Sequence, residues 1–189
     1  MARINTIGRY LEENLRAGTD EYIAGRSLIQ PLFLNYIDMS IGYSASYRTD
    51  LSSGSSLDVL FNNPEDSGVE AYIITVECGG LAQGLIDIFE DVTIVSNGSP
   101  VYIRSLNFAA DNSPNCVVEA NGTYDTSGAR KVHETVLPGG VKIMAVGSIA
   151  EVGESVIIPE GRNLLIRITN NSNSSSTYSI RFLWWEKQL

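Results

Sequence analysis

Apolar and polar residues alternate most regularly between positions 155 and 186. Apolar side chains occupy every second position from 164 to 168 and again from 178 to 184. Successive side chains of a strand point to opposite faces of its sheet, so each run predicts a strand with one buried face. The Asn- and Ser-rich segment 170–177 between the runs can turn the chain but offers nothing that packs into a core. The two runs therefore predict a hairpin, whose last strand lies near the middle of a sheet.

Shorter runs of the same kind occur between positions 37 and 120. They are bounded by clusters of Gly, Asn, Ser and Pro, which favour turns. The run at 69–78 is apolar on both faces, which predicts a central strand. The six expected strands cover residues 39–48, 56–61, 69–78, 84–91, 100–109 and 115–120, with 92–95 continuing the fourth past a bend.

Residues 123–153 form the least regular section of the chain. Two pieces of it, 131–137 and 141–146, have the composition of short strands. A long excursion between core strands is a common place for binding or subunit contacts. The six earlier strands and the final pair make up the set of eight that a jelly roll needs. We therefore predict an all-β fold, an eight-stranded antiparallel jelly-roll-like sandwich over residues 37–189, although other sandwiches of about seven to nine strands fit the pattern equally well.

Residues 1–36 have a helical pattern instead of an alternating one. Apolar residues recur at three- and four-residue spacing and predict a short amphipathic helix over 4–15. Residues 19–36 are rich in apolar residues without a clear period and predict an extended arm. Such a short helix is marginal alone, so we expect this N-terminal arm to contact its own sandwich, a sister subunit or another protein. The candidate contact residues are Ile4, Ile7, Tyr10, Leu11, Leu15, Leu32 and Phe33.

The chain of 189 residues is acidic, with a net charge of −9 and a sequence pI near 4.5. This charge argues against nucleic-acid binding, for which Lys and Arg must neutralise phosphates. Hydrophobic residues make up 43% of the sequence, enough for the core of one domain with an arm. The sequence contains no run of about 18 apolar residues, so no membrane-spanning helix is predicted. The N-terminal sequence lacks the apolar core of a secretory signal. Synthesis in a cytoplasm is therefore expected.

Residues that carry catalysis or bind metals are scarce. The single histidine, His133, stands beside Glu134, and neither a GxSxG motif nor a phosphate-binding glycine motif is present, so an ordinary strand or loop position explains this histidine best. Asp87, Glu90 and Asp91 are close in sequence and would suit calcium or a pair of glycosidase acids, but a solvated strand edge explains them more simply. No catalytic residue, metal site or cofactor is predicted.

Two cysteines, Cys78 and Cys116, are too few for a disulfide framework. Both lie in strand-like runs. Two buried reduced thiols are the simplest expectation, with a disulfide between neighbouring strands as the alternative.

Aromatic residues offer one further kind of site. Nine tyrosines and the adjacent Trp184 and Trp185 have rings that can stack on sugars. Alternation turns one tryptophan inward, so a carbohydrate platform would use only the other.

The segments come in a distinctive order. The strands SSLDVLF and EAYIITVECGG are followed by the acidic strand LIDIFEDVTI, an Asn-Gly turn with PVYIRSLNFAADNSPN, and the closing phrase VIIPEGRNLLIRITNNSNSSSTYSIRFLWWE. Over roughly residues 57–186 this layout resembles small virion structural proteins of tailed phages. The run 162–170 and the final Trp184, Trp185 and Glu186 carry the resemblance, with Trp185 in place of an expected tyrosine.

The resemblance implies a non-enzymatic virion protein, most simply a capsid decoration or cement protein anchored through its N-terminal arm. It implies the major capsid protein or other virion proteins as partners, a homo-oligomer such as a trimer, and a location in the virion after synthesis in the host cytoplasm. No nucleic acid or membrane is expected as a partner. Two alternatives stay open: a tail adaptor, fibre-base or receptor-binding component, and a carbohydrate-binding module that binds a surface glycan.

Overall fold

Strands make up most of the part of the chain that the structure describes. In this computed structural model the described residues are Ile37, 39–138, the backbone of 145–148, and 156–189, and all of them belong to one compact unit. Within these ranges lie the strands β1 (Gly42–Leu51), β2 (Ser56–Asn63), β3 (Val69–Gly80), β4 (Gly84–Glu90), β5 (Thr93–Ser96), β6 (Ser99–Pro100), β7 (Ile103–Ser105), β8 (Val117–Ala120), β9 (Thr123–Asp125), β10 (Arg130–Leu137), β11 (Ala145–Ser148), β12 (Val156–Ile158), β13 (Arg162–Asn170) and β14 (Ser176–Gln188).

The strands form two large sheets and a small one. The first sheet has the order β11–β3–β14–β1–β7, with β12 also paired to β3, and the second has the order β10–β4–β13–β2–β8–β6. Strands β5 and β9 pair separately. All strand pairs among the described residues are antiparallel. The predicted all-β antiparallel sandwich is therefore confirmed.

The core lies between the two large sheets. Apolar side chains at alternate positions of β13 face those at alternate positions of β14, as the period of two predicts. Phe61 of β2 reaches across the sandwich, with its ring centroid 5.6 Å from that of Phe182 and 5.2 Å from that of Trp184. Trp184 has no exposed surface. Strand β14 lies between β3 and β1, which confirms its predicted central position.

The prediction that the last two strands form a hairpin is wrong. Strand β13 pairs with β2 and β4 in the second sheet, whereas β14 pairs with β1 and β3 in the first. The chain therefore crosses from one sheet to the other between them. Alternation shows that each strand has one buried face. It does not distinguish two strands that pair in one sheet from two strands whose buried faces meet across the core from different sheets.

Asn170, at the start of the crossing, is buried and has no exposed surface. Its amide donates to the carbonyl oxygens of Leu51 and Ser174 at 2.9 and 2.8 Å, and its Oδ1 accepts from the Tyr178 hydroxyl at 2.9 Å and the Ser172 backbone N–H at 2.9 Å. The expectation that no residue of segment 170–177 packs into the core is therefore wrong for Asn170. A buried amide is stable here because its polar atoms are paired.

The second sheet also packs on its outer side. Leu60, Phe89 and Leu165 point away from the main core and form a smaller buried cluster with Val92 and Tyr124. The small β5–β9 sheet supplies this cover. The prediction that residues 92–95 continue β4 is therefore wrong. The backbone turns at Asp91, whose φ is 54°, and the chain then enters the separate strand β5.

The predicted strand 100–109 is also wrong. Only Ser99–Pro100 and Ile103–Ser105 form strands that pair with a neighbouring strand. The chain then continues as a loop. Val101 is buried while Tyr102 is 79% exposed, so the alternation in this stretch is real but short. A pattern of a few residues does not show how far a ladder continues.

Several strands end later than predicted. β1 continues to Leu51, and β2 includes Asn63, whose buried amide donates to the carbonyl oxygens of residues 69 and 158. β3 continues past its predicted end at residue 78 and includes Gly80. A Cβ on Gly80 would lie 2.5 Å from Leu137 Cδ2 and 2.6 Å from the Tyr178 ring. Glycine is therefore required there by close packing in the sheet and not by a turn.

The segment 123–153, predicted to be the least regular, contributes to both large sheets. β10 confirms the strand predicted at 131–137 and pairs along β4. β11 pairs with β3 at 145–148, shifted from the predicted 141–146.

Candidate interaction surfaces

The predicted contact residues of the N-terminal arm, together with the helix predicted over 4–15, lie outside the described residues. Ile37, the first of the described residues, packs against the outer side of β1. Its Cγ1 lies 3.5 Å from the point where a Cβ on Gly42 would stand, and Leu106 Cδ1 lies 3.6 Å from the same point.

The two tryptophans point in opposite directions, as predicted. Trp184 is buried in the core and cannot serve as a sugar platform. Trp185 is half-buried on the outer face of the first sheet, where its ring stacks on Tyr72 with centroids 4.1 Å apart and an angle of 15° between planes. Its ring face toward Tyr72 is already covered.

A second aromatic surface, which the sequence did not predict, lies in the 101–115 loop. Tyr102 and Phe108 are each 79% exposed, the most among the large apolar side chains of the described residues. The Arg104 guanidinium lies 5.2 Å from the centre of the Phe108 ring. These three side chains border an open cleft of about 520 Å³ together with Asn107, Asp111, Asn112 and Ser113. We call this set of seven residues the loop surface.

Hydrogen bonds hold the loop surface to the start of β1. The Asn107 amide donates to Ser40 Oγ at 2.8 Å, and its Oδ1 accepts from the Ala109 N–H at 3.1 Å. The Asn112 amide donates to the Ser40 carbonyl at 3.2 Å. The loop therefore has a defined conformation although it contains little regular secondary structure.

Buried Glu186 holds the far end of the same loop. Its carboxylate accepts hydrogen bonds from the backbone N–H groups of Asn115 and Cys116 at 2.9 and 3.0 Å and from Trp184 Nε1 at 3.2 Å. Glu186 is only 3% exposed. Sequence reasoning missed it, although the alternation that turns Trp184 inward also turns Glu186 inward.

The acidic residues Asp87, Glu90 and Asp91, in β4 and directly after it, do not form a joint site. Asp87 pairs with Lys131 at 2.8 Å, Glu90 pairs with Arg130 at 2.7 Å, and Asp91 pairs with a separate arginine of β13. Asp87 lies on a central strand, so the predicted solvated edge is wrong for this residue. Among the residues that the structure describes, no three His, Cys, Asp or Glu side chains are grouped closely enough to hold a metal ion. His133 is an exposed residue of β10, as the simplest interpretation predicted.

A further cleft, of about 620 Å³, follows the outer face of the first sheet near Gly79. Its charged border includes Arg181 and Glu77, whose side chains pair at 3.2 Å. Cys78 and Tyr178 also line this cleft, although both residues are buried, at 2% and 1% exposure.

Both cysteines are free and buried, which confirms two reduced thiols and excludes the alternative disulfide. Burial raises the pKa of the Cys78 thiol to about 12. The pKa of Cys116 is raised first by burial and further by the nearby Glu186 carboxylate. Because the thiolate is the reactive form, neither cysteine is placed to act as a nucleophile.

We expect neither thiol of the native protein to react with Ellman's reagent at pH 8. Burial blocks access to both sulfur atoms, and the raised pKa values keep them protonated. The same protein unfolded in guanidinium chloride should release thionitrobenzoate from both cysteines and serves as the control. Rapid reaction of the native protein would show that at least one of these side chains is accessible.

No helix in the described part of the chain has the length and apolar character needed to cross a membrane. No protein-family model matches the sequence, and a comparison with curated proteins finds no match.

Proposed function

We propose that this protein is a non-enzymatic structural component of a phage virion, a capsid decoration or cement protein with a jelly-roll body and an anchoring N-terminal arm. The observation that carries the proposal is the strand order. In chain order, the eight principal positions are β1, β2, β3, β4, β10, the β11–β12 edge, β13 and β14.

These positions pair from the ends inward. The first pairs with the eighth, the second with the seventh, the third with the sixth and the fourth with the fifth. A ribbon of four such pairs, rolled so that the pairs alternate between two facing sheets, has the jelly-roll order. Viral capsid proteins and lectins use this architecture. Residues 91–129 are then an insertion between the fourth and fifth positions, and they supply the loop surface.

The chemistry of the described residues favours a structural role. Six of the eight described Lys and Arg side chains pair with carboxylates, such as Arg167 with Asp58, where both bonds measure 2.7 Å. The segments that resemble phage virion proteins also contain two of the three buried polar residues described, Asn170 and Glu186. The resemblance therefore includes positions whose buried hydrogen bonds the fold requires.

The proposed partner is the major capsid protein or another virion protein, bound through residues 1–36. Copies of the chain would assemble as a homo-oligomer, for which a trimer is the natural choice. A tail adaptor, fibre-base or receptor-binding component would use the same parts. Copy number in purified particles separates the two: a shell protein is present in numbers comparable to the capsid protein, and a tail part in far fewer.

We expect the double change Ile7→Asp and Leu11→Asp in the full-length chain to reduce binding to particles at least about tenfold, because each apolar side chain contributes more than about 1.4 kcal/mol when buried. Binding is measured by sedimenting particles with added protein and quantifying the bound fraction. Deleting residues 1–36 should have the same effect while the β domain still folds.

A matched control changes Glu12 and Glu13, on the opposite side of the predicted helix, to alanine. This variant should bind as the unmodified protein does. Circular dichroism and thermal unfolding check that all variants fold. If the Asp variant and the deletion both bind particles at normal occupancy, the arm is not the anchor and the proposal fails.

A further inference from the structure

We propose that the loop surface binds a saccharide that carries a carboxylate group, with Tyr102 and Phe108 against the sugar ring and Arg104 on the carboxylate. This inference goes beyond the proposed function and does not depend on it. It also assigns the sugar contacts to residues other than the two tryptophans.

The first argument is the exposure of the two aromatic rings. The described phenylalanines Phe61, Phe89 and Phe182 are buried, whereas Phe108 and Tyr102 are each 79% exposed. Both border the same concave cleft of about 520 Å³, a size suited to a small ligand. Aromatic rings bury a large area at low cost in side-chain entropy, and the apolar C–H face of a sugar ring offers a matching flat surface.

The second argument is the rigidity of the loop. Asn107 and Asn112 tie it to Ser40, and the Leu106 N–H donates to the Gly42 carbonyl at 2.9 Å. Glu186 fixes its far end from within the core. A surface that already has its bound conformation loses less entropy when a ligand binds.

The third argument is charge. Arg130, Arg162, Arg167 and Arg181 each pair with a carboxylate. Arg104 and Arg48 form no ion pair within the described ranges, and of these two only Arg104 lies beside exposed aromatic rings in a cleft of the loop surface. Its position over the Phe108 ring orients the guanidinium beside the aromatic pair. A planar guanidinium binds a carboxylate through two parallel hydrogen bonds, so an acidic sugar fits this arrangement better than a neutral one.

The remaining border of the cleft is polar, as sugar recognition requires. Asn112 and Ser113 present an amide and a hydroxyl, and Asp111 presents a carboxylate that accepts hydrogen bonds from sugar hydroxyls.

The test uses the full-length protein and isothermal titration with paired probes. 3′-Sialyllactose and a glucuronic-acid disaccharide serve as acidic probes, and lactose and cellobiose serve as the neutral counterparts. We expect the acidic probes to bind more tightly. Tyr102→Ala and Phe108→Ala should each weaken binding about tenfold, since a lost stacking contact of this kind corresponds to roughly that factor.

Arg104→Gln should remove the preference for acidic over neutral probes, and Arg104→Lys should retain part of it. Val95→Ala and Arg130→Gln change exposed residues outside the loop surface and should bind as the unmodified protein does. Unchanged thermal unfolding shows that each variant folds.

The proposal is overturned if neither acidic probe binds, or if binding persists at full strength in Tyr102→Ala and Phe108→Ala. Equal binding of acidic and neutral probes, with no effect of Arg104→Gln, would also overturn it. Sedimentation velocity provides an independent check: if the aromatic variants convert an oligomer into monomers, the loop surface is a subunit interface and not a saccharide site.

Discussion

Replacing Trp184 with alanine should lower the free energy of unfolding by about 3 to 5 kcal/mol, whereas the same change at Trp185 should cost only about 0.5 to 1.5 kcal/mol. Trp184 fills the middle of the sandwich, with its ring centroid 5.7 Å from that of Tyr43 and 5.2 Å from that of Phe61. Its removal leaves a cavity that the two sheets cannot close. Trp185 instead lies half-buried on the outer face against Tyr72.

Urea unfolding followed by far-UV circular dichroism measures both changes without relying on tryptophan fluorescence. Since domains of this size are usually stable by about 5 to 15 kcal/mol, the Trp184 variant should unfold at a much lower urea concentration. The neighbouring tryptophan is the matched control, because the substitution is the same and only the side of the strand differs. Equal losses at both positions would contradict the orientation of β14.

Replacing Glu186 with alanine should also cost about 3 to 5 kcal/mol, because it leaves buried hydrogen-bond donors without an acceptor. The carboxylate accepts from Asn115, Cys116 and Trp184 and is 3% exposed. Glutamine keeps the shape but turns one acceptor oxygen into a donor group that faces other donors. Glu186→Gln should therefore be destabilising as well.

Two measurements separate this anchoring role from a general loss of packing. Urea unfolding reports the loss of stability, and hydrogen exchange in the folded protein should accelerate most at the amides of Asn115 and Cys116. Glu134→Ala is the control: this glutamate is also on a strand and forms an ion pair, but its side chain is 73% exposed. The control should unfold almost as the unmodified protein does. If Glu186→Ala behaves like the control, the carboxylate does not hold the loop.

The strands with long, regular alternation could be predicted from the sequence. β13, β14, β3 and β4 lie close to their expected ranges because a half-buried strand requires a period of two, and a period can be read locally. The strand predicted over 100–109 was wrong because a local pattern of a few alternating residues does not reveal whether a partner strand continues beside them.

The loop surface and its anchors could not be predicted in this way. Arg104 and Phe108 come together through a loop conformation that depends on contacts with Ser40 and Gly42, far away in sequence. Glu186 contacts residues about seventy positions earlier. Asp87 and Glu90, close in sequence, are drawn to different basic residues by the register of β10 on β4.

The sequence by itself determined that this chain makes strands, which side of β13 and of β14 is buried, and that one of two adjacent tryptophans lies in the core. These properties follow from side-chain alternation within a single strand. Only the tertiary structure decided that β13 and β14 face each other from different sheets, which groups Asn170 and Glu186 hydrogen-bond inside the protein, and that Tyr102 and Phe108 project from one segment. Strand partners and buried hydrogen bonds join residues distant along the chain, so they depend on the register of the whole sandwich.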